Sequence, residues 1–250
     1  MHLLPVIRSK IKKPMNKSLD LSRPNPQAEA AMKKHQAAIE RVTIDANFAY
    51  DTEGLLADKI SWMAQHCQLV LDIGQSSRGH SIHFDADKLE TVDINRGDNP
   101  PDIIDDICAP NRLQNNRYDG LVCLSVLEHV YDPFAAIEHI HNLLQPGGYL
   151  LFHVPFMFRY HAPADLAFTD CYRFSRDGLA WMLRDFSQVT LYPIRGPYSS
   201  MFNLQKSWKT RVEKIFGMAI NRWIDKIGLR LFRRPTSELQ VSGYYAWAIK

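Results

Sequence analysis

Apolar and polar positions follow two rhythms along this chain, and the changes between them mark its elements. Residues 26–41 are rich in Ala, Gln, Glu and Lys, strong helix formers, and predict a helix. Leu55, Leu56, Ile60, Met63 and Ala64 recur at helical spacing, so 53–67 predicts a second helix with one face laid on a sheet. Short apolar runs follow at 69–73, 89–94, 102–107, 118–124, 149–154, 188–192 and 243–249, and these read as strands. The run 118–124 is apolar almost throughout, as a central strand covered on both faces would be, whereas 102–107 is a brief strand or only its exit. Residues 133–144 read as a helix with Asp132 as N-cap and Pro133 at its first position, stopped by Gln145-Pro146-Gly147-Gly148. Ser175 caps a further helix over 176–184. Strand and helix in alternation predict an α/β fold built on a doubly wound, mainly parallel sheet, and the closing pair of strands suggests an antiparallel edge.

Charge divides the chain more sharply than hydropathy does. Between residues 203 and 234 nine Lys/Arg stand against Glu213 and Asp225, while the whole protein carries only +3, so that segment alone is built to meet an anion. A net charge this small gives no ground for a nucleic-acid partner. Residues 1–25 are basic and proline-punctuated without a period, the pattern of a loosely attached arm. The expected organisation is therefore an arm and helix over 1–50 and a main domain over 51–250, with a basic amphipathic helical insertion at about 200–237. Cys67, Cys108, Cys123 and Cys171 show no CxxC pairing, which favours buried thiols in a reducing compartment. No apolar run is long enough for a membrane span and residues 1–13 lack a secretory signal pattern, so a cytoplasmic location is expected.

The chemistry centres on residues 69–79, LVLDIGQSSRG. An apolar strand that ends in Asp72 and turns through Gly74 is where an open α/β sheet places a nucleotide-like ligand, because backbone approaches the ligand where no Cβ intrudes. Asp93 ends the second strand about 20 residues later, the distance at which an acid meets a ribose diol. Asp106 and Ile107 follow the third strand. Parallel strands gather these carboxyl ends at one crevice.

With these residues the chain resembles the class I S-adenosylmethionine-dependent methyltransferases. The matching runs are VLDIGQSSR (70–78), TVDI (91–94), DDICAP (105–110), YDGLVCLSVLEHV (118–130) and LLQPGGYLLFHVPF (143–156). The resemblance covers about 55–250 and implies a Rossmann-like, seven-stranded sheet in the order 3-2-1-4-5-7-6 with strand 7 antiparallel. It also implies S-adenosyl-L-methionine as cofactor. Asp72 and Gly74 would meet its methionine moiety, Asp93 with Ile94 its ribose, Asp106 with Ile107 its adenine, and Ser125 the rim of the pocket. Gln75, Ser76 and Ser77 stand where that family carries further glycines.

A narrower likeness lies in 154–183, which is similar to type 11 methyltransferases of bacterial glycan and polysaccharide biosynthesis. His161, Pro163, Asp170, Tyr172, Arg173, Phe174, Ser175, Gly178 and Leu179 match their pattern, with a stretched spacing between His161 and Asp170. The resemblance implies methyl transfer to a hydroxyl of a sugar or glycan precursor, or of another small molecule. His161, just past the fifth strand, is then a base or a turn residue, and His129 a second base or a residue packed behind the cofactor. Asp170, Tyr172 and Arg173 either bind substrate hydroxyls or pin their own loop. No metal is expected: His139 and His141 sit about 200° apart on one helix, and His80 and His83 have no evident third ligand. Trp208, Val212, Ile215, Phe216, Ala219, Ile220, Trp223, Ile224 and Ile227 form an apolar stripe flanked by Lys and Arg. That stripe is either buried as a lid or homodimer helix, or rests on anionic membrane. The absence of GxGxxG disfavours a nicotinamide oxidoreductase, and the thin glycine turn leaves a non-catalytic binding protein on the same fold as the alternative.

Overall fold

The computed structural model describes residues 25–77, 79–162, 168–204, 215, 217, 219–232 and 239–250. The arm at 1–24, Pro163, and Trp208, Val212 and Phe216 of the apolar stripe lie outside the described residues.

Helix α1 (Pro26–Arg41) begins on Asn25, whose side chain accepts from Gln27 N, with Pro26 at the first position. The chain then enters a strand that periodicity did not reveal, β1 (Val42–Ile44), before helix α2 (Thr52–His66) capped by Asp51. Strands β2 (Val70–Ile73), β3 (Leu89–Asp93), β4 (Ile103–Ile104) and β5 (Tyr118–Leu124) follow, with a single 3₁₀ turn at His80–His83. Helix α3 (Pro133–Leu143) leads directly into β6 (Leu144–Pro155), which absorbs the Gln-Pro-Gly-Gly stop as an irregular lead-in. After α4 (Arg176–Met182) and β7 (Gln188–Ile194) come α5 (Pro197–Asn203), α6 (Ala219–Phe232) and β8 (Gly243–Ile249).

The sheet has eight strands in the order β1-β7-β8-β6-β5-β2-β3-β4. Read from β4 to β7 this is the expected 3-2-1-4-5-7-6, to which β1 adds an eighth member parallel to β7. The antiparallel strand is not an edge: β8 is inserted between β6 and β7 and runs antiparallel to both. A two-strand return pairs a strand with its predecessor but does not say whether another strand waits on its far side.

Alternate residues of the central strands face opposite ways, and each face has its own core. Leu71, Ile73, Leu121, Cys123 and Phe152 pack with Ile137, Ile140 and Leu179 of α3 and α4. Val70, Val122, Leu124 and Leu151 pack with Leu56, Ile60 and Met63 of α2. Helices on both faces leave only the strand ends open to a ligand.

Helix α6 inverts the usual arrangement. Its buried residues are Asn221, Asp225 and Gly228, whereas Trp223, Ile227, Leu231 and Phe232 are more than half exposed. Asp225, 1% exposed, accepts from the backbone N–H groups of Gly196, Tyr198 and Ser199 and from the hydroxyls of Tyr50 and Ser199. It thereby supplies the cap that Gly196 cannot give α5. A Cβ on Gly228 would lie 2.3 Å from the Tyr198 ring, so glycine lets the two helices close.

Candidate active site

Strands β2, β3, β4 and β5 end along one edge, and there a cavity of about 660 Å³ opens. It is lined by Ile73, Gly74, Asp93, Ile94, Asp106 and Ile107 on one side and by Ser125, His129, Tyr131 and Phe168 on the other. Its size falls within the roughly 300–1,000 Å³ range of cofactor pockets. A second, more polar cavity between Asp87, Asp102, Arg117 and Tyr118 lies at the opposite strand ends, where open parallel sheets do not bind nucleotides.

Gly74 has a φ of 71°, and a Cβ there would lie 2.8 Å from Val126 Cγ2, so both backbone and space demand glycine. Asp72 is buried and does not line the cavity. Its Oδ1 accepts from the N–H and hydroxyl of Ser76, at 2.8 and 3.0 Å, and its Oδ2 from Ser77 N at 3.1 Å. Burial raises its pKa, opposed by the hydrogen bonds from Ser77 and Ser76. Asp72, expected to meet the methionine moiety, has a role inside the turn itself. Ser76 and Ser77 are part of that role: the Ser76 hydroxyl also accepts from Leu124 N at 2.9 Å, which ties the turn to β5.

Asp93 and Asp106 do line the cavity, with Ile94 and Ile107 beside them. Asp93 Oδ1 accepts from Asn95 N at 2.9 Å, and Asp106 from Cys108 N and the Tyr131 hydroxyl, each at 2.8 Å. Neighbouring Asp105 also borders the cavity, but its buried carboxylate is taken up by backbone N–H groups. Burial acts to raise its pKa, but the N–H groups of Arg112, Asn111, Asp106 and Leu113 outweigh it and hold the pKa below the usual value. Ile94 is exposed at the mouth, an apolar surface for a flat ring. Ser125, at the end of β5, has a φ of 58°, a conformation uncommon outside glycine, and its hydroxyl lies 2.7 Å from His153 Nδ1. Tyr131, Phe168 and His153 were not singled out in the sequence; a tyrosine two residues after the Glu128-His129 pair was the one available signal.

Beyond Ser125 the cavity is lined by His129, which belongs to a group that the chain assembles from two segments, with Glu128 and His161 outside the cavity lining. His161 Nε2 lies 3.2 Å from His129 Nε2, and both lie 3.8 Å from Glu128 Oε1. His129 Nδ1 hydrogen-bonds the Thr169 carbonyl. Burial lowers the His129 pKa, the Thr169 hydrogen bond opposes this, and His161 lowers it further. His161 Nδ1 lies 3.0 Å from Asp170 Oδ2, an ion-pair distance off the line of a straight hydrogen bond. Among the described residues, Glu128, His129 and His161 are the group whose ligand atoms could share a metal ion, a grouping the sequence expectation of no metal did not foresee.

Asp170 and Arg173 are turned on each other. Arg173 grips both carboxylate oxygens and also donates to the Phe158, Arg159 and Tyr172 carbonyls. This fork holds the Asp170 pKa well below the usual carboxylate range, against the opposing effect of burial. The geometry is that of a pin joining two loops, the second of the two readings given for this pair. Tyr172 is exposed, and its hydroxyl donates to the Tyr131 carbonyl.

A doubly wound sheet with a glycine turn and two acids at neighbouring strand ends, all on one cavity, has the architecture of a nucleotide-cofactor fold. The chain belongs to the methyltransferase domain family, whose pattern matches residues 26–187, and it is an S-adenosylmethionine-dependent methyltransferase. A ubiquinone biosynthesis O-methyltransferase of Alkalilimnicola ehrlichii is 44% identical over 36 residues, which span 14% of this chain and only 15% of that relative. Among solved structures, a SAM-dependent methyltransferase of Archaeoglobus fulgidus is similar at 16% identity over 80% of this chain and 95% of that one, with a TM-score of 0.47. The 1,6-didemethyltoxoflavin-N1-methyltransferase of Burkholderia thailandensis is similar at 14% identity over 91% of each chain, with a TM-score of 0.41.

Proposed function

We propose that the chain transfers a methyl group to oxygen, and that its acceptor is a hydroxyl of a sugar or glycan precursor. The observation that carries this reading is the pair His129 and His161, 3.2 Å apart, with His129 in the lining of the cofactor cavity. An amine free of its proton attacks a methyl sulfonium unaided, whereas a sugar hydroxyl, with a pKa far above 7, gains from assistance with its proton. Bound S-adenosylmethionine supplies an electrophilic methyl group on sulfur. Asp93 and Asp106 would hold its nucleoside end, Gly74 would admit its backbone-facing edge, and Ser125 would border the sulfonium. The chain's remaining task is to hold the acceptor oxygen in line with that methyl group, which accounts for much of such catalysis. The fork of Arg173 on Asp170 keeps His161 in place for it.

The reading is tested with isotopically labelled methyl donor and a panel of monosaccharides, nucleotide sugars and glycan fragments beside simple amines and catechols. Label in a base-stable sugar ether is expected. Transfer to amines alone would overturn the choice of oxygen, and transfer to catechols alone would overturn the choice of sugar.

We further propose that the enzyme works on the cytoplasmic face of a membrane, at anionic lipid. No helix among the described residues is long and apolar enough to cross a membrane. The support is α6, which turns Trp223, Ile227, Leu231 and Phe232 outward between Arg222, Lys226 and Arg230.

A further inference from the structure

We infer that Glu128, His129 and His161 form a binding site for a divalent first-row metal ion, zinc above all, at the acceptor end of the cavity. The inference rests on the proposed function in one respect, that this cluster is where the acceptor hydroxyl arrives.

Geometry is the first ground. With Nε2 to Nε2 at 3.2 Å and each nitrogen 3.8 Å from the same carboxylate oxygen, one ion fits about 2.1 Å from all three, the length of zinc–imidazole and zinc–carboxylate bonds. Two imidazoles and one carboxylate are a ligand set that zinc takes in open sites, where a further position is left for water or substrate.

The surroundings of the ligands are the second ground. His129 Nδ1 is engaged by the Thr169 carbonyl, which can only accept, so the proton of the neutral ring sits on Nδ1 and the Nε2 lone pair points at His161. The Asp170 carboxylate beside His161 Nδ1 favours the same tautomer there. With both protons on Nδ1 the two Nε2 atoms, 3.2 Å apart, would both be free to ligate one cation. A carbonyl or carboxylate behind each ligating imidazole is the usual support of a metal site, and Arg173 locks the carboxylate in turn. The charge of Asp170 is met by Arg173, and Glu128, 1% exposed, adds a buried carboxylate to the ligand set. The competing occupant of the gap is a hydrogen bond between the two rings.

Chemically, an ion here polarises the O–H bond of an acceptor that reaches its open position and lowers that hydroxyl's pKa. The proton leaves to water, the oxygen forms its bond to the methyl carbon, and the carbon–sulfur bond breaks with its electron pair going to sulfur. One methyl ether, one neutral thioether and one proton result.

The test uses the full chain freed of metal by chelator and dialysis. Zinc is titrated against a chromophoric chelator, and Co²⁺ is added separately for its visible spectrum. One equivalent of tight binding is expected, with ligand-field bands of a low-coordinate nitrogen and oxygen site. His161→Ala and Glu128→Gln should each weaken binding by about 100-fold or more, and Asp170→Asn by about 10- to 100-fold. His83→Ala should leave it unchanged. If Glu128→Gln does not fold, His129→Gln with the wild-type cobalt spectrum serves in its place. No binding by the wild-type chain, or full binding by folded His161→Ala, overturns the inference. A thiolate-to-cobalt band that disappears in Cys171→Ser overturns it as well. The two readings fail separately. Methyl transfer lost in His161→Ala with no metal in the wild type removes the ion and keeps the histidine as base. Metal bound without any effect of His161→Ala on turnover keeps the ion and removes the acceptor from this end of the cavity.

Discussion

Ser76 hydrogen-bonds the Asp72 Oδ1 atom twice, through its backbone N–H and its hydroxyl. An acid at the end of the first core strand therefore serves the turn that exposes Gly74 and does not itself line the cavity. Asp72→Ala would strand the buried N–H groups of Ser76 and Ser77, at about 1–3 kcal/mol for each unsatisfied group. The expected result is a lower unfolding midpoint together with weaker binding of S-adenosylhomocysteine. A variant as stable as wild type that no longer binds would restore direct contact between Asp72 and the ligand.

Asp93 makes the complementary case. It lines the cavity at the strand end, with one oxygen spent on Asn95 N. Asp93→Ala should weaken cofactor binding by about 1–3 kcal/mol, or roughly 5- to 150-fold, because buried hydroxyls lose their acceptor. Calorimetric titration with S-adenosylmethionine and S-adenosylhomocysteine measures this directly. Unchanged affinity would place the ribose elsewhere.

These two acids show what the sequence makes legible. Both end apolar runs, and parallel topology alone sends them to one edge, but whether a carboxylate faces the ligand or its own turn is decided by the next few residues. Ser76 and Ser77 decided it for Asp72. β1 escaped notice because three residues, Val42 to Ile44, cannot establish a period, and its edge position is set by contact with Val189 and Leu191 far along the chain. The stripe of α6 was visible as a pattern, yet a helical period says which face is apolar and not which face is buried. Asp225, read only as one charge in a basic segment, turned that helix around. The histidine cluster was out of reach for another reason: His129 and His161 are 32 residues apart and meet through loops whose course no periodicity encodes.

Arg173 is expected to matter more for order than for substrate contact. Its guanidinium serves Asp170 and three carbonyls, and the Asp170 side chain has no exposed surface. Arg173→Ala leaves that carboxylate buried without its partner and should cost about 3–5 kcal/mol, read by chemical denaturation. Arg173→Lys should recover only part, since an ammonium cannot reproduce the fork. Full recovery by lysine would reduce the role to charge alone.

His161→Ala separates binding from chemistry. His161 is not part of the cavity wall around Asp93 and Asp106, so affinity for S-adenosylhomocysteine should stay within about twofold, on the principle that distant sites act independently. Turnover should fall by about 100-fold or more if its imidazole acts on the acceptor proton, either as base or as metal ligand. Comparable losses in binding and turnover would mean that the histidine shapes the pocket instead.

The outward face of α6 yields the last prediction. Trp223 is 59% exposed, Ile227 54% and Leu231 63%, on successive turns of the same side. Arg222, Lys226 and Arg230 are placed to meet lipid phosphates while the apolar side chains enter the acyl boundary. The helix cannot simply roll to bury this face, because Asp225 is held from behind by Tyr50, Gly196, Tyr198 and Ser199. In a flotation assay the chain should therefore rise with anionic vesicles at low salt, less with zwitterionic ones, and less at high salt as the basic contribution is screened. Trp223→Ser combined with Ile227→Ser should reduce partitioning by about 10-fold or more, since each buried side chain of this size is worth roughly 1.5–3 kcal/mol. The substituted face carries no core contact, so the unfolding midpoint should hold. A chain that stays with the soluble fraction but runs as a dimer, reverting to monomer in the double variant, would assign the same face to a second copy and remove the membrane from the proposal.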